Sequence, residues 1–294
     1  MLFHNYIKSN NLHRPLILDG ATGTKLIEHN HNFNDSLWTS IFNITNPELV
    51  IKLHREYLEA GADIITTNTF RTNYLAYKNS SIEISHSSLV KRSVNLAIEA
   101  RNGRKILIAG SNAPAEDCYQ TNRTISHIDL IKNHHLHIDE LMSAGVDFIL
   151  NETQSHFDEI KIIAEYCYQN KIPFVLSLYF DDELRILSGE TVSEIIEYLK
   201  PFKPLALGFN CVSPKRLHSL LTEIELKSDW GFYLNCGDDN SLNNKLKCTV
   251  TPDSYIDKVS HFPQSNYIFI GACCGSSPSH IKEIKRYLDG KNIN

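Results

Sequence analysis

The stretch Tyr267-Ile-Phe-Ile-Gly-Ala-Cys-Cys-Gly-Ser-Ser-Pro278 lies near the end of the chain and joins a strand pattern to a helix start. Its first four residues form an apolar run that predicts a buried strand, and Pro278 is typical of a first helical turn. Cys273 and Cys274 stand between the two elements. Adjacent cysteines pair poorly with each other, because a disulfide needs Cα atoms farther apart than one peptide bond comfortably allows. Both thiols can instead turn toward one metal ion.

The same pattern of a strand followed by a helix repeats along the whole chain. Eight apolar runs predict strands at residues 16–20, 63–70, 106–110, 147–153, 173–179, 205–211, 231–235 and 267–271. Amphipathic stretches predict the helices at residues 47–60, 88–101, 126–144, 157–169, 192–199, 214–223, 253–259 and 278–288. Continuous apolar strands are expected where both faces of a parallel sheet are buried. Eight even units without a break favour a closed barrel over a doubly wound sheet, so we predict a single α/β domain, a (β/α)8 TIM barrel over residues 1–294.

Composition narrows the class of protein further. The chain has 294 residues, of which 42% are hydrophobic, and a formal net charge of −5 without a basic run. Binding to nucleic acid or to anionic membranes is therefore not favoured. Seven cysteines are too few for a disulfide scaffold, and an odd number fits a reducing compartment. The chain has no signal-like start and no long apolar segment, so we predict a cytoplasmic protein without a membrane partner. We expect it to be a monomer or a small homo-oligomer.

A third cysteine stands in a similar setting to the adjacent pair. Cys211 ends the sixth predicted strand, and Cys273 and Cys274 follow the eighth. In a barrel, all three thiols would lie at the C-terminal rim, where the loops after the strands build active sites. Three thiolates leave a fourth tetrahedral zinc position open, which marks a catalytic rather than a structural site. The alternative is that these are ordinary loop residues, and the adjacent pair makes that alternative weaker.

Other candidate motifs are weaker than the three cysteines. The run His134-His135-Leu-His137 falls in a predicted helix and is more typical of a solvated surface than of a metal site. Residues 20–25 lack the spacing of a phosphate-binding loop. Ser177 lacks the sequence context of a serine nucleophile. The cysteines without ligand-like spacing are Cys118, Cys167 and Cys248.

Five motifs, in chain order, resemble the homocysteine S-methyltransferase family of zinc-dependent barrels. They are Leu18-Asp-Gly-Ala-Thr-Gly-Thr24, Asp63-Ile-Ile-Thr-Thr-Asn-Thr-Phe70, Asn151-Glu-Thr153, Gly208-Phe-Asn-Cys211 and Gly271-Ala-Cys-Cys-Gly275. Residues 35–38 and 46–49 are similar to the branch that uses S-methylmethionine. The resemblance implies a homocysteine-binding barrel that moves a methyl group from a sulfonium donor to the thiolate of homocysteine and gives methionine. The implied donor is S-methylmethionine or S-adenosylmethionine.

The resemblance also implies roles for individual residues. Zn²⁺ would be held by Cys211, Cys273 and Cys274, with no further catalytic residue. Homocysteine would be contacted by Asp19, Gly20, Thr67, Glu152 and Asn235, and the two acids suit its α-ammonium group. Trp38 would contact the cationic methyl donor, because an indole face attracts a cation.

The chain also departs from the family pattern. Ala272 replaces the second glycine before the two cysteines, and residues 110–114 differ from the usual motif after the third strand. Arg71 stands where the betaine-using branch has an aromatic residue, which weakens betaine as the donor. Two alternatives stay open, namely betaine as the donor and a zinc-retaining barrel that binds an amino acid without catalysis. The acids and Trp38 favour an enzyme, since a merely structural zinc would need none of them.

Overall fold

The computed structural model describes residues 2–28, 36–236 and 250–291. Eight parallel strands form one sheet in the order β1-β8-β7-β6-β5-β4-β3-β2. The strands are β1 Leu16–Ile17, β2 Ile64–Thr66, β3 Leu107–Asn112, β4 Phe148–Gln154, β5 Phe174–Leu178, β6 Ala206–Asn210, β7 Trp230–Leu234 and β8 Phe269–Ala272.

The sheet closes on itself between its first two strands. Leu18 and Ile64 form a parallel bridge, and the backbone N–H of Asp63 donates to the Ile17 carbonyl at 2.8 Å. At the other side of β1, Leu16 pairs with Phe269 of β8. The predicted (β/α)8 barrel is therefore confirmed, and the carboxyl ends of all its strands meet at one rim.

Twelve helices are found within the described residues. They are α1 Leu2–Ser9, α2 Thr22–Ile27, α3 Phe42–Thr45, α4 Pro47–Ala60, α5 Tyr74–Lys78, α6 His86–Arg101, α7 His127–Ala144, α8 Phe157–Gln169, α9 Val192–Leu199, α10 Pro214–Glu223, α11 Pro252–Ser260 and α12 Pro278–Lys291. The eight predicted helices are all present, and the short helices α1, α2, α3 and α5 were not predicted. None of the helices in the described residues combines the length and the apolarity needed to cross a membrane.

Helix α4 shows how local sequence sets these boundaries. The Asn46 side chain accepts a hydrogen bond from the Leu49 N–H, and Pro47 occupies the first turn, where no N–H is needed. The helix ends at Gly61, whose φ of +107° lies in the left-handed region that favours glycine. Both signals are local, which is why the sequence predicted this helix correctly.

Helix α1 covers the N-terminal end of the barrel. The Phe3 ring packs edge-on against Phe148 at 5.1 Å and against Phe269 at 6.1 Å, measured between ring centres. These two rings belong to the first residues of β4 and β8. Tyr6 donates from its hydroxyl to the Lys105 carbonyl at 2.6 Å, which fixes the helix against the loop before β3. The end of the barrel away from α1 is the C-terminal rim.

The histidine run on α7 is largely buried, and the expectation of a solvated surface is wrong. His134 and His137 are both fully buried. His134 Nε2 lies 2.8 Å from Glu159 Oε1, and His137 Nδ1 lies 2.9 Å from Asn112 Oδ1. Of the three histidines in the run, only His135 is partly exposed, and it stacks on Tyr166 with ring centres 3.7 Å apart. The buried histidines join α7 to α8 and β3 through polar contacts.

Glu159 is the charged member of this buried network. Burial raises the pKa of Glu159, but the hydrogen bond and charge of His134, with the charge of Arg123, outweigh it and bring the pKa to about 2. Arg123 Nη2 lies 3.0 Å from Glu159 Oε2. The Ala115 N–H donates to Oε1 at 2.6 Å. Glu159 therefore fastens the loop after β3 to α8.

Glu159→Gln is expected to lower the free energy of unfolding at pH 7 by about 2–3 kcal/mol, the value of charge-assisted hydrogen bonds. Because the folded-state pKa of about 2 lies below the ordinary value of 4.5, the contribution is present above pH 4.5 and is lost as pH falls toward 2. Urea unfolding at pH 7 and pH 3 measures both effects. Glu165→Gln, at an exposed position of α8, is the matched control. A difference from wild type that is equally large at both pH values would contradict an ionised Glu159.

Candidate metal centre and substrate cavity

A cavity of about 550 Å³ lies at the C-terminal rim of the barrel. This volume is in the range of sites that bind small molecules. The described lining comes from the carboxyl ends of the strands and from the loops that follow them. The predicted site residues that line the cavity are Asp19, Gly20, Trp38, Thr67, Glu152, Cys211, Cys273 and Cys274.

Three thiols form a tight cluster on the cavity wall. The Sγ atoms of Cys211, Cys273 and Cys274 all lie within 4.8 Å of one another. The Sγ atoms of Cys211 and Cys273 are 3.0 Å apart, and those of Cys273 and Cys274 are 4.0 Å apart. One ion can therefore be reached by all three sulfurs.

Cys211 is held in an unusual backbone conformation at the end of β6. Its φ of +56° lies in the left-handed region, which costs a non-glycine residue about 1–3 kcal/mol and tends to occur at functional sites. The Asn210 amide donates to Cys211 Sγ at 3.4 Å, and its Oδ1 accepts from the Thr153 N–H at 2.8 Å. Asn210 thus links Cys211 to β4.

Asn235 also supports Cys211. Its side-chain amide donates to the Cys211 carbonyl at 2.9 Å, and its backbone N–H donates to the Val212 carbonyl at 3.1 Å. Among the described residues Asn235 is not part of the cavity lining. The structure thus places this predicted substrate contact behind the cysteine rather than on the cavity wall.

Backbone contacts also fix the two adjacent cysteines. The Cys273 N–H donates to the Leu234 carbonyl at 2.7 Å, and the Cys274 carbonyl accepts from the Cys236 N–H at 3.0 Å. The Gly275 N–H donates to Thr24 Oγ1 at 3.1 Å. These bonds tie the cysteine loop to the carboxyl end of β7 and to α2, with both sulfurs near Cys211.

The chemistry of the thiol cluster suits a cation. Hydrogen bonds from Cys273 and Cys274 lower the pKa of Cys211. The bond to Cys211 in turn raises the pKa of Cys273 and of Cys274. The first thiolate therefore opposes ionisation of its neighbours unless a positive charge lies among them. Thiolates are ligands that zinc prefers, so the residues present fit a Zn²⁺ ion.

Two acids, Asp19 buried and Glu152 half-buried, form another part of the cavity. Burial raises the pKa of Asp19 to about 7, although the Thr66 backbone and hydroxyl hydrogen bonds lower it. Burial also raises the pKa of Glu152 to about 8, the Ser111 hydroxyl opposes this rise, and the charges of Cys211 and Asp19 add to it. Both carboxyl groups lack a cationic partner within 4.0 Å in the described part of the chain. A bound cation would satisfy this pair.

Trp38 and Phe70 form an aromatic wall. Their ring centres are 6.0 Å apart at an angle of 65°. The Trp38 ring also lies on the backbone of Gly23, where an added Cβ would meet the indole at 2.4 Å. Any other residue at position 23 would push the indole away, so glycine is required for this close approach. The indole is thereby fixed beside the cavity.

The hydroxyl of predicted Thr67 is engaged within the wall. Thr67 Oγ1 lies 2.7 Å from Thr69 Oγ1 and accepts from the Ser111 N–H at 3.1 Å. Thr67 therefore lines the cavity, but its hydroxyl is already hydrogen-bonded to other residues of the wall. Gly20 also packs closely, because an added Cβ would meet Ser276 Oγ at 2.8 Å.

Several lining residues were not among the predicted contacts. Tyr233 is one, and burial together with the Glu152 carboxylate raises its pKa. All five residues of β7 are buried, so no alternating pattern in the sequence singled out Tyr233. Cys118 and Tyr119 come from the loop after β3, where no periodic pattern exists. Arg71 was noted only as a departure from the betaine-using pattern.

Comparison with known proteins agrees with this geometry. A family model described as homocysteine S-methyltransferase matches residues 16–288. The chain is 26% identical to homocysteine S-methyltransferase 2 of Arabidopsis thaliana over 309 aligned residues, covering 92% of each protein. It is 27% identical to selenocysteine Se-methyltransferase of Brassica oleracea var. italica, covering 92% of this chain and 88% of that protein. The metallated form of the homocysteine methyltransferase MmuM from Escherichia coli shares the fold, with a TM-score of 0.79, 24% identity and coverage of 96% and 100%.

Proposed function

This chain belongs to the homocysteine S-methyltransferase family, and we propose that it transfers a methyl group from a sulfonium donor to the thiolate of homocysteine, giving methionine. The observation that carries the proposal is the meeting of three thiols, two unpaired acids and an aromatic wall in one cavity. A structural metal site would need only the thiols. The whole barrel would act as one homocysteine-binding domain.

We propose that the bound metal is zinc and that its ligands are Cys211, Cys273 and Cys274. Three protein ligands leave the fourth tetrahedral position for a substrate thiol. When bound, zinc lowers the pKa of a coordinating thiol, so that the thiol ionises at neutral pH. The protein then needs no dedicated general base near the reacting sulfur.

Asp19 and Glu152 are proposed to hold the α-ammonium group of homocysteine. Their pKa values of about 7 and about 8 mean that both are partly protonated at neutral pH in the free protein. An ammonium group between them would restore the two negative charges and lower both pKa values. Substrate binding should therefore release protons, and it should weaken as pH falls below 7.

Trp38 and Phe70 are proposed to contact the cationic donor. A sulfonium makes few hydrogen bonds, but an indole face attracts it by about 0.5–2 kcal/mol. Because Trp38 is held by Gly23 and Phe70, it can orient the donor without first becoming ordered. In the transfer, the homocysteine sulfur forms a bond to the methyl carbon while the donor's bond to that carbon breaks. The donor leaves as a neutral thioether.

The direct test is methionine formation by zinc-loaded protein with homocysteine and one of three donors, S-methylmethionine, S-adenosylmethionine or betaine. We expect methionine with a sulfonium donor and little with betaine. Protein without zinc is the control. Zinc and homocysteine binding without methionine from any donor would overturn the proposal and favour the non-catalytic amino-acid-binding barrel.

A further inference from the structure

Arg71 brings a positive charge to a cavity whose other charged side chains, in the described lining, are acids. It follows Phe70 after β2, and its side chain is half-buried in the cavity wall. Its Nη1 donates to the Glu116 carbonyl at 2.9 Å, and its Cζ lies 5.4 Å from the centre of the Phe70 ring. No carboxylate in the described ranges lies within 4.0 Å of this guanidinium. A guanidinium has five N–H donors, so most of them are left for a ligand.

Asp117 provides an opposite charge in the same part of the cavity. Its side chain is exposed, and Oδ1 accepts from the Tyr119 N–H at 2.8 Å. Both charges act on the thiol of Cys118, the residue directly after Asp117. Burial and the Cys211 charge raise the pKa of Cys118, the Arg71 charge lowers it, and the Asp117 charge raises it. The Glu116 carbonyl that Arg71 contacts comes directly before Asp117 in the chain, so both charges lie on the same side of the cavity, at the loop after β3.

This pair is separate from the acids assigned to homocysteine. Asp19 bonds to Thr66 at the end of β2, and Glu152 accepts from Ser111 at the end of β3. Arg71 lies instead against the Phe70 ring, which contacts Trp38 in the aromatic wall. The cavity thus contains two separate sets of charged groups, one near the ends of β2 and β3 and one beside the aromatic wall.

We propose that Arg71 binds the α-carboxylate of the sulfonium donor and that Asp117 binds its α-ammonium group. The inference rests on the proposed methyl transfer and names the residues that would hold the amino-acid end of the donor in the same site. A guanidinium matches a carboxylate through paired hydrogen bonds. In an amino-acid sulfonium, a carbon chain separates the carboxylate from the sulfonium. In betaine a single CH2 group separates the carboxylate from the quaternary ammonium, so pairing with Arg71 would bring two cations close together.

Donors that differ by one group provide the test. S-methylmethionine carries a carboxylate and an ammonium, dimethylsulfoniopropionate carries only the carboxylate, and trimethylsulfonium carries neither. We expect Arg71→Gln to lower kcat/KM for the first two donors by roughly 10- to 100-fold relative to trimethylsulfonium, which is the range of a charge-assisted hydrogen bond. Arg71→Lys should keep part of the effect, because it retains the charge but loses the planar fork. Asp117→Asn should lower the ratio of S-methylmethionine to dimethylsulfoniopropionate by about tenfold.

A control arginine separates these effects from a general loss of charge. Arg104 is exposed and precedes β3, at the opposite end of the barrel, so Arg104→Gln should leave all donor ratios unchanged. An Arg71→Gln variant that affects every donor equally, or that raises only the KM for homocysteine, would overturn the donor assignment. Wild-type protein that forms no methionine from any sulfonium would instead overturn the proposed function. Thermal unfolding of each variant shows whether it is folded.

Discussion

Cys274→Ala is expected to abolish zinc binding and methyl transfer while the barrel stays folded. Only two of the three clustered thiols would remain. Loss of an outer contact alone reduces metal affinity by about 10- to 100-fold, so loss of a ligand should cost more than about 100-fold. The Cys274 side chain is only half-buried, and the bond from the Cys236 N–H to its carbonyl needs no thiol. Metal content after dialysis, methionine formation and the thermal midpoint measure the three parts of this prediction.

Cys167→Ala is the matched control for the loss of a thiol. Cys167 is fully buried on α8 and does not belong to the cluster. Its replacement should reduce stability by about 1 kcal/mol, through the small cavity that it leaves, with zinc content and transfer retained. Full zinc content and full activity in Cys274→Ala would contradict the ligand assignment.

The sequence predicted the long elements of the fold well because their signals are local. Each long helix has an apolar face at helical spacing, and several carry caps such as Asn46 before α4. The short helices differ, because segments of four to eight residues are stable only through tertiary contacts. Helix α1 is held by the Phe3 ring against Phe148 and Phe269. Those contacts join distant parts of the chain, so no local pattern predicted them.

The buried histidines show a related limit of the sequence. Polar side chains at helical spacing indicate an exposed face, and that expectation was wrong for His134 and His137. Their partners include Glu159 and Asn112, each more than twenty positions away in sequence. A buried polar face needs such partners to satisfy its hydrogen bonds. Only the folded chain shows that they are present.

Site residues that come directly after a strand were predicted best, and residues farther along the loops were predicted poorly. Cys211 and Cys273 each come directly after a strand, and barrel closure brings those ends together. The same reasoning applied to Asn235, but its amide turns to the Cys211 carbonyl. Arg71 and Asp117 lie in loops, whose paths have no periodic signal. Arg71 follows Phe70 directly, but its contact with the Glu116 carbonyl, next to Asp117, follows only from the fold.

Glu152→Gln is expected to weaken homocysteine binding by roughly 10- to 100-fold, since a charge-assisted hydrogen bond to the α-ammonium group would be lost. Binding can be measured by calorimetry on zinc-loaded protein at pH 8.5, where the wild-type carboxyl group is largely ionised. Glu99→Gln, at an exposed position of α6, is the control and should bind as wild type does. Unchanged affinity in Glu152→Gln would remove this residue from the proposed substrate contacts.

The same substitution should stabilise the protein when neither zinc nor substrate is bound. The folded-state pKa of Glu152 is about 8, above its ordinary value of 4.5. Between these values the folded protein holds a proton that the unfolded chain has lost, so wild-type stability falls as pH rises through this window. Glutamine does not ionise and lacks this loss, so the variant should unfold a few degrees higher at pH 8.5 and show little difference at pH 4.5.

A variant that is less stable than wild type at pH 8.5 would mean that Glu152 serves the fold. The expected result, weaker binding with higher stability, would mean that its buried carboxylate is kept for the substrate.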